Sequence, residues 1–200
     1  QDDYYGAIVD YTKAIELDPN YFYAYNNRGI SKDNLKDYYG AIADFTKAIE
    51  IDPNYAIAYY NRGNAKDDLE DYYGSISDYT KAIELSPNNA AAYNNRGNSK
   101  ADLEDYYGAI ADLTKAIELN PKDVDAYNNR GYSKNNLKDY YGAIADYTKA
   151  IELDPNDAIA YYNRCVSKYY NNDLNGACQD ARKVQSLGSD ASQLIQAACN

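Results

Sequence analysis

The chain has 200 residues, 45% apolar and 26% charged, enough to bury a core. Lys and Arg total 20 against 31 Asp and Glu, and this net charge of −11 argues against a nucleic-acid backbone as partner, while no apolar run nears the ~18 residues that span a bilayer. With no His, the commonest general base and metal ligand is missing, so neither catalysis nor a metal or other cofactor is expected.

Internal repetition organises everything else. The five prolines, Pro19, Pro53, Pro87, Pro121 and Pro155, each follow the last by 34 residues. Gly29, Gly63, Gly97 and Gly131 keep the same beat, as do Gly6, Gly40, Gly74, Gly108, Gly142 and Gly176. In chain order the pattern predicts a half unit over 1–21, with one helix from Tyr4 to Leu17. Four full units follow at 22–55, 56–89, 90–123 and 124–157, then a divergent unit at 158–191 and a short helix over 192–200.

Each full unit contains two helical patterns. The first runs roughly from Tyr23 to Leu35 and carries Ala24, Tyr25, Gly29 and Leu35. The second runs from Tyr38 to Ile51, with Ala41, Phe45 and Ala48 at i, i+4 and i+7. Asp37 fits its N-cap, and Asp52-Pro53 ends it because proline drives its predecessor out of the α region. Small Gly29 and Ala41 permit close approach, and the short link makes the two helices antiparallel neighbours. Such a hairpin buries only one face by itself and needs its neighbours.

A 34-residue helix-turn-helix unit such as AYNNRGNSKADLEDYYGAIADLTKAIELNP, residues 92–121, resembles the tetratricopeptide repeat (TPR) family over essentially the whole chain. The resemblance implies an all-α, right-handed superhelical TPR solenoid of antiparallel helix pairs, acting as a non-catalytic protein-protein interaction scaffold. Two columns depart from the family pattern. Tyr25, Tyr59, Tyr93, Tyr127 and Tyr161 stand for the usual Trp, and Arg28, Arg62, Arg96, Arg130 and Arg164 for an aliphatic residue.

Each arginine has a lysine four residues on (Lys32, Lys66, Lys100, Lys134, Lys168), and Asp10, Asp44, Asp78, Asp112, Asp146 and Asp180 run down the second helices. Matched columns of this kind read as inter-helix ion pairs that set repeat register, against the alternative of a basic groove for anionic ligands. Asn27, Asn61, Asn95, Asn129 and Asn163 form an unbroken column beside Asn26, Tyr60, Asn94, Asn128 and Tyr162. The resemblance places these side chains at or near a concave groove. Their amides could grip an extended peptide backbone, or could tie neighbouring repeats together; the residues leave both open. The offsets Ile30, Asn64, Asn98, Tyr132 and Val166, with Asp33, Asp67 and Asp68 further along, offer no cationic clamp. A peptide partner is therefore expected to be polar, neutral or basic.

A further column, Tyr5, Tyr39, Tyr73, Tyr107 and Tyr141, is expected to be at least partly exposed, facing a partner or shielding its own repeat edge. Cys165, Cys178 and Cys199 lack metal-site spacing. They form one C-terminal disulfide involving Cys178, in an oxidising compartment, or stay free. At the ends, Ala7, Tyr11 and Ala14 have no first helix before them, and Ala191, Leu194, Ile195 and Ala198 have no second helix after them. Complementary half units suggest head-to-tail assembly of copies into a fibre, or else a fragment of a longer array. A chain starting at Gln without Met is what signal-peptide removal leaves, pointing to a secreted or cell-surface protein.

Overall fold

Aspartates start the second helices. Asp3, Asp37, Asp71, Asp105, Asp139 and Asp173 each accept the backbone N–H of the glycine three residues on, at 2.8–3.0 Å. The glycine leaves room for that cap, since a Cβ on Gly40 would sit 2.1 Å from Asp37 Oδ2. Asp52, in extended conformation, closes its helix ahead of Pro53.

The computed structural model describes residues 3–199, and within them every regular element is an α-helix. In order these are α1 (Tyr4–Leu17), α2 (Phe22–Asn34), α3 (Tyr38–Ile51), α4 (Ala56–Asp67), α5 (Tyr72–Leu85) and α6 (Ala90–Asp102). There follow α7 (Tyr106–Leu119), α8 (Val124–Asn136), α9 (Tyr140–Leu153), α10 (Ala158–Tyr170), α11 (Leu174–Ser186) and α12 (Ser192–Ala198). The all-α architecture of helix pairs read from the repeat is therefore what the chain adopts. Leu35, expected inside the first helix, is instead its C-cap. The chain divides into two compact units, Gln1–Leu103 and Glu104–Asn200.

In the first unit the core is a scaffold of alanines around one large side chain per helix pair. Ala24, Ala41, Ala48, Ala58, Ala65, Ala82 and Ala92 are fully buried around Phe45 and Tyr79. The helices approach so closely that a Cβ on Gly29 would lie 2.6 Å from Phe45 Cε1. In the second unit Leu113 and Tyr147 take the large position among the same alanine columns, whereas in α11 that position is Ala181 and the buried Val184 fills the column of Ala150. There α12 lays Leu194, Ile195 and Ala198 on Cys165, Ala177 and Ala181. A Cys178–Cys199 disulfide fastens it, which decides the pairing the sequence left open. Cys165 keeps a buried free thiol, pushed up to about 11 by burial.

Every first helix that is followed by a second ends in a left-handed residue: Lys36, Glu70, Glu104, Lys138 and Asn172 have φ of 60–64°. Glycine pays no Cβ penalty there, although it also gives the unfolded chain more freedom. Lys36→Gly and Lys138→Gly should therefore each stabilise the protein by about 0.5 kcal/mol. The measurement is the urea midpoint of each variant; a drop in either would mean the lysine side chain makes contacts worth more than its backbone strain.

Candidate interaction surface

The basic column is consumed internally. Arg28 donates from Nε to Asp44 Oδ2 (2.9 Å) and from Nη2 to Oδ1 (2.6 Å), while Lys32 Nζ lies 2.7 Å from Oδ2. The same fork joins Arg62 and Lys66 to Asp78, Arg130 and Lys134 to Asp146, and Arg164 and Lys168 to Asp180. The hydrogen bond to Asp44 raises the Arg28 pKa against the opposing effect of burial. Each guanidinium also reaches back one repeat, as when Arg62 Nη1 donates to Thr46 Oγ1 at 3.0 Å. Arginine thus ties its own second helix to the preceding one, which sets register. The threonines Thr12, Thr46, Thr80, Thr114 and Thr148 share the 34-residue period, but their role as acceptors was missed, because a Thr in a helix of mixed polarity is locally indistinguishable from a solvated one.

The amide column is largely spent between repeats. Asn61 Nδ2 donates to Asn26 Oδ1 (3.0 Å), and Asn95 Nδ2 donates to Asn64 Oδ1 (3.0 Å) and to the Tyr60 hydroxyl (3.2 Å). Asn94 donates in turn to Asn95 Oδ1, and Asn26 to Asn27 Oδ1. Asn26 is only 1% exposed, so it corrects the expectation of a groove-lining side chain: its amide is filled by inter-repeat bonding. In the second unit Asn128 Nδ2 donates to Asp157 Oδ2 at 2.6 Å. Asn129 and Asn163 are half-buried, and Tyr162 is exposed.

Among the described residues, an acidic row on the first helices of the first unit has no ion pair with Arg28, Lys32, Arg62 or Lys66, which bind Asp44 and Asp78 instead. Asp33 on α2, Asp67 and Asp68 at the end of α4, and Asp102 on α6 sit close enough to perturb one another. Burial raises the Asp33 pKa, and Asp68 raises it further; Asp67 and Asp102 are raised by the same two causes, through Asp68 and Asp67 respectively. Asp67 gains partial compensation by accepting the Ser75 and Ser99 hydroxyls. Asp33 Oδ1 is buried with no hydrogen-bond partner. The folded state therefore holds these protons more tightly than the unfolded chain, so the carboxylates cost stability once pH rises through their folded pKa. Asp33→Asn should raise stability at pH 7 by on the order of 1 kcal/mol and change nothing below the ordinary Asp value of about 3.9. Thermal melts of both proteins across that range check the sign.

Elsewhere the structure leaves apolar surface. Tyr5, Tyr39 and Tyr73 in the first unit, and Tyr107 and Tyr141 in the second, are 73–80% exposed. In the first unit, Ala7, Tyr11 and Ala14 of α1 remain half-exposed. In the second, Ala191 and Ala198 are buried, and Leu194 and Ile195 join Ala198 on the chain's own last helix pair. The tail's apolar spacing is thus committed within its own unit. Among the described residues no cluster of three or more acidic or Cys side chains could hold a metal ion, and no helix is long and apolar enough to cross a membrane.

Comparison with known proteins places this architecture. No curated protein matches the chain. Among solved structures it is similar to YrrB, described as a TPR protein with an unusual peptide-binding site (28% identity, TM-score 0.80, 94% of this chain and 97% of that one). It is also similar to MamA (25% identity, TM-score 0.78, 83% and 91% covered). The pilF protein of Pseudomonas aeruginosa shares the fold (21% identity, TM-score 0.77, 88% and 80% covered). Models of the tetratricopeptide repeat match residues 22–55, 56–89, 90–123 and 124–157, and a further TPR repeat model matches 1–32. With repeat models covering most of its length and helix pairs throughout, the chain belongs to the tetratricopeptide repeat family.

Proposed function

We propose that this TPR protein is a non-catalytic scaffold that binds an extended, basic segment of a partner protein along the first helices of its first unit. The observation that carries the reading is the acidic row Asp33, Asp67, Asp68 and Asp102, with Asp33 Oδ1 buried and without a hydrogen-bond partner, while the neighbouring Arg28, Lys32, Arg62 and Lys66 are held by Asp44 and Asp78. A surface with uncompensated negative charge attracts cations and rejects acidic chains. The likeness to YrrB, described as having an unusual peptide-binding site, supports a peptide as the ligand class. The asparagines contribute by rigidifying the surface through their inter-repeat bonds, with Asn163 and Tyr162 offering additional polar contacts in the second unit. Fluorescence anisotropy with lysine-rich, neutral and glutamate-rich peptides tests this. The basic peptide should bind, weaken as salt rises, and lose about tenfold with Asp33→Asn/Asp68→Asn/Asp102→Asn. Equal affinity for the three peptides would sink the charge reading.

Head-to-tail self-assembly is a second reading, favoured by the uncovered face of α1. The committed packing of Leu194, Ile195 and Ala198 weighs against the tail as its docking element. Sedimentation over a wide concentration range separates the two: a strictly monomeric protein removes the fibre and leaves the scaffold. The Cys178–Cys199 disulfide supports a secreted or cell-surface location.

A further inference from the structure

The caps of the first helices break their own rule at two places. Asn89, Asp123 and Asp157 cap α6, α8 and α10, each accepting backbone N–H of the first turn at 2.9–3.1 Å. The same column holds Tyr21 before α2 and Tyr55 before α4, and neither side chain makes a cap hydrogen bond. A tyrosine there forgoes the stabilisation an asparagine would supply. What stands in its place is a group of rings. Tyr23 meets Tyr55 edge to face with centroids 5.4 Å apart, and Phe22 lies 4.0 Å from Tyr23 and 5.0 Å from Tyr55. A local rule broken to bring aromatic side chains together marks a surface kept for something other than the helix itself.

These side chains are open to solvent. Tyr23 is 46% exposed, and Ile57, two residues after Tyr55, is 53% exposed. Neighbouring repeats do not close the column: α4 has α2 on one side and α6 on the other, and Ile57 stays open between them. Ala91, Asp125 and Ile159, at the same offset in the later repeats, are exposed as well. A first helix packed on either side therefore leaves this position uncovered, at Tyr23 as at Ile57.

The surroundings select the charge of what binds. Burial raises the Tyr55 pKa, and the Tyr23 phenol and the Asp52 carboxylate raise it further, which puts both beside the Tyr55 hydroxyl. Asp52 Oδ1 accepts the Asn54 backbone N–H at 3.0 Å, and among the described residues the carboxylate has no basic partner. No cation lies over Tyr23 or Tyr55 among those residues, whereas Arg28 and Arg62 lie over Tyr25 and Tyr59 at 5.6 Å. Electron-rich ring faces beside a carboxylate suit a cation, and a planar guanidinium stacks on a ring where an ammonium does not. The net charge of −11 draws the same kind of partner.

We infer that Tyr23 and Tyr55, with Ile57 and Asp52, form a docking site for an arginine side chain of a partner protein. The guanidinium stacks on the open tyrosine face, Asp52 supplies the counter-charge, and Ile57 packs against the aliphatic stem. The site lies at the starts of α2 and α4, whereas Asp33 lies near the end of α2, about 15 Å along its axis from Tyr23. It is thus distinct from the acidic row, and either site can fail without the other.

Two labelled, end-blocked peptides of equal charge, GSRGSRGSRGS and GSKGSKGSKGS, are titrated into the full chain. The arginine peptide should bind about fivefold tighter than the lysine peptide. Tyr23→Ala/Tyr55→Asn should abolish that preference. Asp33→Asn/Asp68→Asn/Asp102→Asn should weaken both peptides together and keep it. Tyr55→Asn by itself puts the residue of Asn89 into its column, so the regained cap should raise the melting temperature by about 2–4 °C, which separates loss of the site from loss of the fold. Equal affinity of the unmodified chain for the two peptides overturns the proposal, as does a preference that survives Tyr23→Ala/Tyr55→Asn. A lower melting temperature for Tyr55→Asn would make the rings a packing device and equally overturn it.

Discussion

Asp78→Ala is expected to lower the unfolding free energy by about 3–4 kcal/mol, the cost of breaking a buried pair from one side. Asp78 is 3% exposed and receives two hydrogen bonds from Arg62 and a second cation, Lys66. Removing it strands two cations among alanines, and Arg62 then holds only Thr46 in the preceding repeat. The same substitution at Asp10, in the same column of a nearly identical helix, should cost no more than about 0.5 kcal/mol, because Asp10 is exposed and unpartnered among the described residues. Urea titrations of the two variants measure the contrast. Comparable losses would show that the helix itself, and not the ion pair, needs an aspartate there.

Gly63→Ala should destabilise by about 2 kcal/mol, although helix propensity alone would gain about 1 kcal/mol. The added Cβ would fall 2.7 Å from Tyr79 Cε1 and 2.8 Å from Cδ1. The ring cannot retreat freely, since Tyr79 is 1% exposed and its hydroxyl donates to Asn64 Oδ1 at 2.9 Å. Burial and the nearby Asp67 charge raise the Tyr79 pKa, so the phenol stays a donor throughout the accessible pH range. Pairing the substitution with Tyr79→Leu should recover at least half of the loss, since a shorter side chain vacates the contested space. Stabilisation by the single substitution would instead place the two helices further apart than the structure has them.

Much of the fold was legible because its punctuation is local. An aspartate three residues before a glycine caps a helix wherever it occurs, and Asp-Pro ends one wherever it occurs. The Arg and Asp columns were legible as a match of charge, and the structure closes them into forks within each helix pair. The asparagines were not legible: an amide suits a peptide backbone and a neighbouring amide equally, and only the distance from Asn61 to Asn26 chooses. The acidic row was half visible. Asp33, Asp67 and Asp68 stood out in the sequence, but Asp102 joins them through the stacking of α2, α4 and α6, which no local pattern records.

The sequence by itself therefore determined the period, the helix pairs, the caps and the family, all of which rest on interactions within one repeat or its immediate turn. The tertiary structure decided which polar groups are already satisfied. It spends Asn26, Arg28 and the tail's Leu194 and Ile195 inside the chain, and leaves Asp33 and Asp10 without the partners their equivalents or neighbours enjoy. The physical reason is that repeat identity sets what each position can bond, whereas burial and neighbour identity set what is left over for another molecule.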